Sequence, residues 1–337
     1  MIRQAPEPSF SRLATFAALR ASALEAARGH RRSAEVAEFF LDLEPRILAL
    51  ERELVAGTFR PAPYRTFFIR EPKPRTISAA RFGDRVVHHA VCREIEPVLE
   101  AVAIPWSFAC RRGKGVLAAL RHVRRLCRRF PYVLKTDVLH FFESADHGVL
   151  KRLLARRVRD PDLRRLIFSF IDAGAPGSAP GKGLPIGNLT SQHFANFYLG
   201  PLDRHLVRGA GAGGYCRYMD DILVFAHGKA RLWEALAGAE RFAADRLKVA
   251  LKPSATRVLR VDAGVPFLGF IVFPGLIRLD GARVRRLRRR FASLGRAIDA
   301  GLATEDHVQR SADSLVGWAR HADTAALLRS WVRRRTP

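Results

Sequence analysis

The spacing of apolar and polar residues predicts a chain in which helices and short strands alternate. Residues 11–56 place apolar side chains at helical intervals up to Gly57, which predicts two helices. Residues 58–80 change to short extended runs between prolines, and this pattern predicts a hairpin of strands with Glu71-Pro-Lys-Pro at its tip. The pattern then predicts helices over residues 84–102 and 115–130, the second with basic residues along one side.

The second half of the chain continues this alternation without a strict strand–helix–strand rhythm. The pattern predicts, in order, a strand from residue 131, a long helix over 146–172, a loop over 173–187, a helix over 188–207, a hairpin over 215–225, a helix over 230–247, a short β unit over 256–278 and a basic helical tail over 281–333. This order favours an α+β fold over a doubly wound parallel sheet.

Composition adds a strong positive charge to this picture. The 337 residues include 58 lysines and arginines against 32 acids, a net charge of +26. An excess of this size predicts a polyanionic partner, and nucleic acid is the usual one. A codon bias towards arginine would explain arginine in place of lysine, but not the excess of bases. The four cysteines form no Cys-x-x-Cys pair, and no apolar run is long enough to cross a membrane, so we expect a reduced cytoplasmic setting.

Three carboxylates carry the candidate chemistry. Asp220 and Asp221 follow Tyr218-Met219 between two apolar β-prone runs, and Asp137 ends the strand pattern Tyr132-Val-Leu-Lys-Thr. Neighbouring carboxylates repel unless a hard divalent cation neutralises them. Carboxylates from adjacent strands would hold two Mg²⁺ ions about 4 Å apart, as two-metal phosphoryl transfer requires. Asp-Asp is also a common turn dipeptide, so the pair alone leaves a purely local turn role open.

Two motifs at these aspartates resemble the reverse transcriptase family. They are Tyr218-Met-Asp-Asp and Asp137-Val-Leu-His-Phe-Phe-Glu-Ser-Ala-Asp-His. The resemblance implies a right-hand polymerase fold, with fingers, palm and thumb and an antiparallel palm sheet. It also implies a helical extension over residues 1–57, fingers and palm over 58–275, and a basic helical thumb over 276–337.

The same resemblance assigns substrate-binding residues. Phe142 occupies the place of an aromatic residue that lies against the sugar of the incoming nucleotide and excludes a ribose 2′-hydroxyl; alternation places either Phe141 or Phe142 in the core regardless. Lys73 and Arg75 on the predicted hairpin would bind the triphosphate, whereas without the motif they would be ordinary solvated surface. Val138, directly after Asp137, joins the implied metal-binding set.

The stretch Gly183-Leu-Pro-Ile-Gly-Asn-Leu-Thr-Ser-Gln192 indicates a subgroup. Many relatives have Gln-Gly and Ser-Pro here, whereas Ile186-Gly187 and Ser191-Gln192 resemble diversity-generating retroelement reverse transcriptases. By this resemblance Ile186, Gly187 and Gln192 lie beside the template base and the nucleotide. Glycine allows the backbone to approach closely, and polar residues that open a helix can contact a ligand.

Two further segments are predicted to bind nucleic acid. Phe267-Leu268-Gly269-Phe270 resembles the family's primer-grip turn, although this segment could equally be buried hairpin packing. Six arginines between Arg283 and Arg290 predict a helix along the product duplex, with Arg285, Arg288 and Arg289 contacting phosphates. A solvated helix face is the alternative, but like charges at helical spacing repel unless an anion lies nearby.

The expected function is RNA-directed DNA synthesis with two Mg²⁺ ions, for which Mn²⁺ can substitute, on an RNA template with a DNA primer and deoxynucleoside triphosphates. The subgroup resemblance implies error-prone cDNA made from a template-repeat RNA, and a small basic accessory protein as partner. The alternatives are a retron-like or phage-defence reverse transcriptase, and an RNA-binding protein with the fold but no turnover. Relatives commonly carry a lysine that can protonate pyrophosphate where this chain has Ser254 and Ala255, and Lys248 or Lys252 would have to substitute.

Overall fold

The chain forms two compact units, each assembled from separate segments of the sequence. The computed structural model describes residues 6–70, 74–209, 213–319 and 321–324. The first unit contains Met1–Cys110, Val138–His205 and Gly238–Lys252, and the second contains Arg111–Asp137, Leu206–Ala237 and Pro253–Pro337. This division follows contacts rather than sequence order, and the predicted domain boundaries after residues 57 and 275 remain predictions.

Four helices open the first unit, where two were predicted. They are α1 (Phe10–Leu13), α2 (Phe16–Ala26), α3 (Ala34–Leu41) and α4 (Leu43–Val55). The prediction of two helices is wrong because polar residues interrupt the pattern locally. The Thr15 hydroxyl accepts a hydrogen bond from the Ala18 amide and starts a new helix, and Asp42 separates α3 from α4 with a non-helical backbone. Helix α2 packs on α5 (Phe82–Val102).

The predicted hairpin is confirmed in the same unit. Strands β1 (Arg65–Ile69) and β2 (Arg75–Ala79) form a two-stranded antiparallel sheet. Its predicted tip, together with Lys73, lies outside the described residues.

The predicted long helix over residues 146–172 is wrong. A one-turn helix α7 (Phe141–Ser144) is followed by α8 (His147–Ala155) and α9 (Pro161–Asp172). The Asp160 carboxylate accepts hydrogen bonds from the Asp162 and Leu163 amides, and Pro161 occupies the first helical position, so α9 is a capped helix of its own. Helix α10 (Leu189–Arg204) follows the predicted loop and continues as a π-helical turn, His205–Gly209.

A four-stranded antiparallel sheet forms the centre of the second unit. Its strands are β3 (Tyr132–Thr136), β4 (Gly214–Tyr218), β5 (Asp221–Ala226) and β6 (Arg257–Arg260), in the order β4-β5-β3-β6. Helix α6 (Val116–Cys127) packs its apolar side on β4, because Leu120, Val123 and Leu126 are all buried. Helix α11 (Lys229–Phe242) follows the sheet's hairpin, begins in this unit and ends in the first.

A second antiparallel sheet and two helices complete the second unit. The strands are β7 (Val265–Phe267), β8 (Phe270–Val272) and β9 (Ile277–Leu279), and the helices are α12 (Gly281–Asp299) and α13 (Glu305–Ala319). The predicted α+β class with antiparallel sheets is therefore confirmed. None of the helices in the described ranges is long and apolar enough to span a membrane.

Candidate active site

The register of the four-stranded sheet brings the three predicted aspartates to one end of it. Thr136, the last residue of β3, pairs with Ile222, the second residue of β5. Continuing this antiparallel register by one residue places Asp137 beside Asp221. Tyr218 pairs with Asp221, so Met219 and Asp220 form the two-residue turn between β4 and β5. Side chains that are far apart in the sequence thus share one sheet end for a purely topological reason.

The turn formed by Met219 and Asp220 is strained and internally supported. Met219 has a φ of +56°, in the left-handed region that a residue with a side chain rarely adopts. Such a conformation costs on the order of 1–2 kcal/mol outside glycine. The Arg217 side chain is only 1% exposed, and its Nη1 donates a 2.8 Å hydrogen bond to the Met219 carbonyl. Sequence reasoning missed Arg217, although a charged residue inside an apolar strand was a visible signal.

Lys135 connects this site to the neighbouring sheet. Its Nζ donates a 2.9 Å hydrogen bond to the carbonyl of Pro266 in β7 and lies 3.9 Å from Oδ1 of Asp221. Strand alternation places Lys135 on the same face of β3 as Asp137. Sequence reasoning assigned it no role, although its position two residues before Asp137 could have indicated one.

Whether this site fits a divalent metal depends on its donor set. Asp137, Asp220 and Asp221 are each half-buried and offer only oxygen ligands, which suit Mg²⁺ and Mn²⁺. In the part of the chain that the structure describes, no group of three or more Asp, Glu, His or Cys side chains is close enough to hold an ion. The backbone therefore brings a suitable all-oxygen set to one sheet end, while the side chains do not form a ligand group as they stand. Val138, the other predicted metal residue, is buried and pairs with Leu251 in the first unit.

The predicted primer-grip segment is a tight hairpin turn in the second unit. Phe267 pairs with Phe270 and both are buried, so the packing role left open for these two rings is confirmed. Leu268 and Gly269 form the turn with φ values of +51° and +75°, the pattern of a type I′ turn. A Cβ at Gly269 would overlap the Arg283 guanidinium, which also lies 5.7 Å from the Phe270 ring centroid. The turn is therefore packed directly against the start of α12.

Helix α12 presents the predicted phosphate-binding arginines to solvent. Arg285, Arg288 and Arg289 are exposed, whereas Leu287 is buried. Arg283 is different, because burial lowers its pKa from the ordinary value, and the charge of Arg286 lowers it further against the opposing effect of Asp280. The exposed arginines are consequently the ones available to a polyanion.

The segments that bear Arg75, Phe142, Ile186 and Gly187, which are predicted to bind the substrate, belong to the first unit and are connected by backbone hydrogen bonds. The Leu184 amide donates to the Phe142 carbonyl at 2.6 Å, and the Ser78 amide of β2 donates to the Ile186 carbonyl at 2.7 Å. The loop that contains Ile186 and Gly187 thus joins the strand of Arg75 to the helical turn of Phe142. Gly187 has a φ of +124°, and a Cβ there would lie 3.0 Å from the Ser78 carbonyl oxygen.

The side chains around this loop divide into packed and accessible ones. Phe141 is in the core, while Phe142 and Gln192 are half-exposed and Arg75 is exposed. The two phenylalanines thus divide as alternation predicted.

The start of α10 is held by a buried histidine. His88 Nδ1 is 2.9 Å from the Thr190 hydroxyl, and the His88 ring stacks on Phe170 at 4.0 Å between centroids. Burial, together with the charge of nearby His89, lowers the pKa of His88 from 6.5 to about 3. His88 is therefore a neutral residue packed in the core of the first unit.

Lys248 and Lys252, the predicted substitutes for the pyrophosphate acid, lie in the first unit. The Lys248 ammonium lies 3.5 Å from Asp146 Oδ2, so this lysine has a carboxylate partner. Ser254 and Ala255 form a short 3₁₀ turn before Thr256, whose hydroxyl is 2.8 Å from that of Thr136.

Known proteins match this chain through its central segment. The family model for reverse transcriptase (RNA-dependent DNA polymerase) matches residues 69–272. Protein YkfC of Escherichia coli (strain K12) is 26% identical over 263 residues, which cover 65% of this chain and 69% of that protein. The group II intron-encoded protein LtrA of Lactococcus lactis subsp. cremoris is 26% identical over 172 residues, covering 49% of this chain and 29% of LtrA. The chain therefore spans about two thirds of the first relative and under a third of the second.

The matched segment contains all three aspartates, the second strand of the predicted hairpin and the loop before α10. It confirms the predicted enzyme class, an RNA-directed DNA polymerase, and it implies a polymerase palm fold for the sheet that bears the aspartates. Because it makes up more than half of the 337 residues, the chain belongs to the reverse transcriptase family.

Proposed function

We propose that this enzyme forms phosphodiester bonds by two-metal catalysis at Asp137, Asp220 and Asp221. The observation that carries the proposal is the strand register, which puts Asp137 beside Asp221 and Asp220 in the adjoining turn. Two divalent ions, held by these carboxylates with the Val138 carbonyl, would supply Lewis acidity for phosphoryl transfer. Arg217 and Lys135 keep the turn and the Asp221 carboxylate in place through the contacts described above.

The residues of the first unit support deoxynucleotide substrates. Phe142 is half-exposed and would exclude a ribose 2′-hydroxyl, and Arg75 would bind phosphate oxygens through its planar, five-donor guanidinium. Lys73 is proposed to share the triphosphate with Arg75. The bond between the Ser78 amide and the Ile186 carbonyl supports this grouping, because it fixes the strand of Arg75 to the loop predicted to face the template base.

For the biological role we propose error-prone cDNA synthesis in a diversity-generating retroelement. Its support is the sequence Ile186-Gly-Asn-Leu-Thr-Ser-Gln192, which departs from the Gln-Gly and Ser-Pro pattern of group II intron enzymes. The role implies a template-repeat RNA, and a small basic accessory protein that would dock on an arginine-poor surface. A retron-like or phage-defence role is the second candidate, and a neighbouring template-repeat and variable-repeat pair in the genome would separate the two.

Primer extension on an RNA template, with Mg²⁺ and deoxynucleotides, tests the catalytic proposal. We expect Asp220→Ala with Asp221→Ala to abolish extension, because removing the ligands removes the charge stabilisation that they provide. Asp245→Ala, at an exposed carboxylate outside the site, serves as the matched control and should extend like wild type. Extension that survives in the double variant would refute the assignment.

Sequencing the cDNA from the same reactions tests the biological role. Errors concentrated opposite template adenines would support diversification. Uniform low error, with the native RNA and accessory protein present, would leave the polymerase assignment intact and exclude this role.

A further inference from the structure

Helix α6 carries a strongly basic surface that the polymerase chemistry does not use. No Asp or Glu occurs between Glu100 and Asp137, a segment that contains eight lysines and arginines from Arg111 to Arg129. On α6 itself Arg121 and Arg125 are exposed and Arg124 is half-buried. Positions 121, 125 and 128 are spaced by four and three residues, so they share one face of a helix.

The opposite face of α6 fixes this surface in place. Leu120, Val123 and Leu126 are buried, and the ring of His122 makes a 2.9 Å hydrogen bond to the Tyr215 carbonyl in β4. Arg128 Nε donates to the Pro274 carbonyl at 2.8 Å, which holds the first residue beyond the helix. The arginines therefore project from a rigid support rather than from a mobile loop.

Several exposed arginines elsewhere in this chain form ion pairs with acidic residues close by in the sequence, whereas the arginines of α6 do not. Arg46 lies 3.1 Å from Glu38, Arg165 lies 3.2 Å from Asp162, and Arg231 lies 3.2 Å from Glu234. Within the ranges that the structure describes, Arg121, Arg124 and Arg125 have no acidic partner. Like charges at helical spacing destabilise a helix, so a bound polyanion would stabilise this arrangement.

The basic surface lies at the end of β4 that is remote from the aspartates. A Cβ at Gly214, the first residue of β4, would contact the Leu126 side chain of α6. The catalytic turn begins after Tyr218, four strand residues further on, a distance of about 13 Å along β4. The surface is therefore distinct from the site of nucleotide addition.

From these observations we infer that the α6 arginine surface, formed by Arg121, Arg124 and Arg125, binds the phosphate backbone of RNA outside the segment being copied. Arginine binds phosphate oxygens in a bidentate manner and tolerates any sequence. The surface would anchor the flanking structured RNA to the enzyme while the template passes through the active site. The inference rests on the family's use of RNA and is independent of the diversification role.

The test compares R121Q/R124Q/R125Q with a control of equal charge change, R46Q/R165Q/R231Q, both in the full-length chain. Binding of a fluorescent RNA duplex is measured against salt while a short unlabelled primer–template saturates the active site. We expect the α6 variant to bind on the order of tenfold more weakly, with a salt dependence reduced by about two to three counterions. The control should match wild type, and both variants should extend a short primer–template normally.

Several outcomes would overturn the inference. Unchanged RNA affinity and salt dependence in the α6 variant would do so, as would an equal loss in the control. A DNA duplex of the same sequence and anionic vesicles serve as further probes, and a loss confined to either of them, with RNA binding intact, would assign the surface to that partner instead. Repeating the binding in the Asp220→Ala, Asp221→Ala background separates this result from any failure of polymerisation.

Discussion

At the scale of single residues, Lys135 contacts two candidate functional segments that lie far apart in the sequence. Its ammonium lies between the Asp221 carboxylate and the Pro266 carbonyl, just before the Phe267–Phe270 turn. Removing it would leave Asp221 without this cation and β7 without this hydrogen bond. A positional error of about 1 Å in a catalytic group can cost roughly 100-fold in rate.

We therefore expect Lys135→Met to lower kcat by about 10- to 100-fold with a smaller change in KM for the nucleotide. Lys229→Met is the matched control, because Lys229 lies over the Tyr132 ring at the other end of the sheet. Steady-state primer extension measures both variants. An unchanged kcat in Lys135→Met, with the protein folded, would remove Lys135 from the positioning machinery.

His88 makes the stability of the first unit depend on pH. Its pKa is about 3 in the folded protein and about 6.5 when unfolded, so only the unfolded chain takes up a proton as the pH falls below 6.5. The contribution of neutral His88 to the free energy of unfolding is therefore fully present above pH 6.5 and is lost as the pH falls towards 3. Asp84 acts in the opposite direction, because burial raises its pKa from 3.8 to about 6.

We expect the free energy of unfolding of the wild type to lose about 2 kcal/mol through His88 between pH 6.5 and 5. His88→Phe keeps the stacking on Phe170 and should lack this component, and subtracting the two pH profiles cancels the contribution of Asp84. Urea unfolding at several pH values measures the difference. Parallel profiles would show that His88 is protonated as easily in the folded state as in the unfolded chain.

At the scale of elements, the loop before α10 is the connection that groups the predicted substrate residues. It is tied to α7 through Leu184 and to β2 through Ile186, and Gly187 allows the close approach to β2. Gly187→Ala would place a methyl group 3.0 Å from the Ser78 carbonyl oxygen, in a backbone conformation with φ of +124°. Either the loop or the hairpin must then move.

We expect Gly187→Ala to raise KM for deoxynucleotides by about tenfold, because the displaced loop misplaces binding groups worth on the order of 1.4 kcal/mol. Gly177→Ala is the control: its φ of +83° is also strained, but a Cβ there meets no atom within 4 Å. Equal effects of both substitutions on KM would show that backbone strain, and not the contact with β2, decides the outcome.

At the scale of the whole molecule, the charge of +26 includes the arginines of α6 and α12, which we propose contact nucleic acid in different places. Arg285, Arg288 and Arg289 on α12 are predicted to contact the product duplex. Replacing all three by Gln should weaken binding of an RNA–DNA hybrid independently of its sequence and reduce the salt dependence by about two to three counterions. A titration at several salt concentrations measures this. A variant that discriminates between sequences would contradict phosphate contact.

The sequence by itself determined the enzyme class of this protein. The resemblance of the motifs around Asp137 and Asp220-Asp221 to reverse transcriptases predicted an RNA-directed DNA polymerase with an antiparallel palm sheet. The basic composition independently predicted a nucleic-acid partner, and the hairpins followed from strand periodicity, because residue types and periodicity are local properties. The signals that divide α8 from α9 were also present, in Asp160-Pro161, but a continuous apolar pattern concealed them.

Only the tertiary structure decided which residues meet. Sequence cannot give strand register, so the neighbourhood of Asp137 and Asp221, the Lys135 contact with Pro266 and the burial of Arg217 became visible only in the folded chain. Alternation predicted that one of Phe141 and Phe142 would be buried, but only the structure showed that Phe141 is in the core and Phe142 is half-exposed. These features depend on pairing between residues separated by tens to more than a hundred positions, and long-range packing, unlike local periodicity, is not encoded at fixed intervals along a chain.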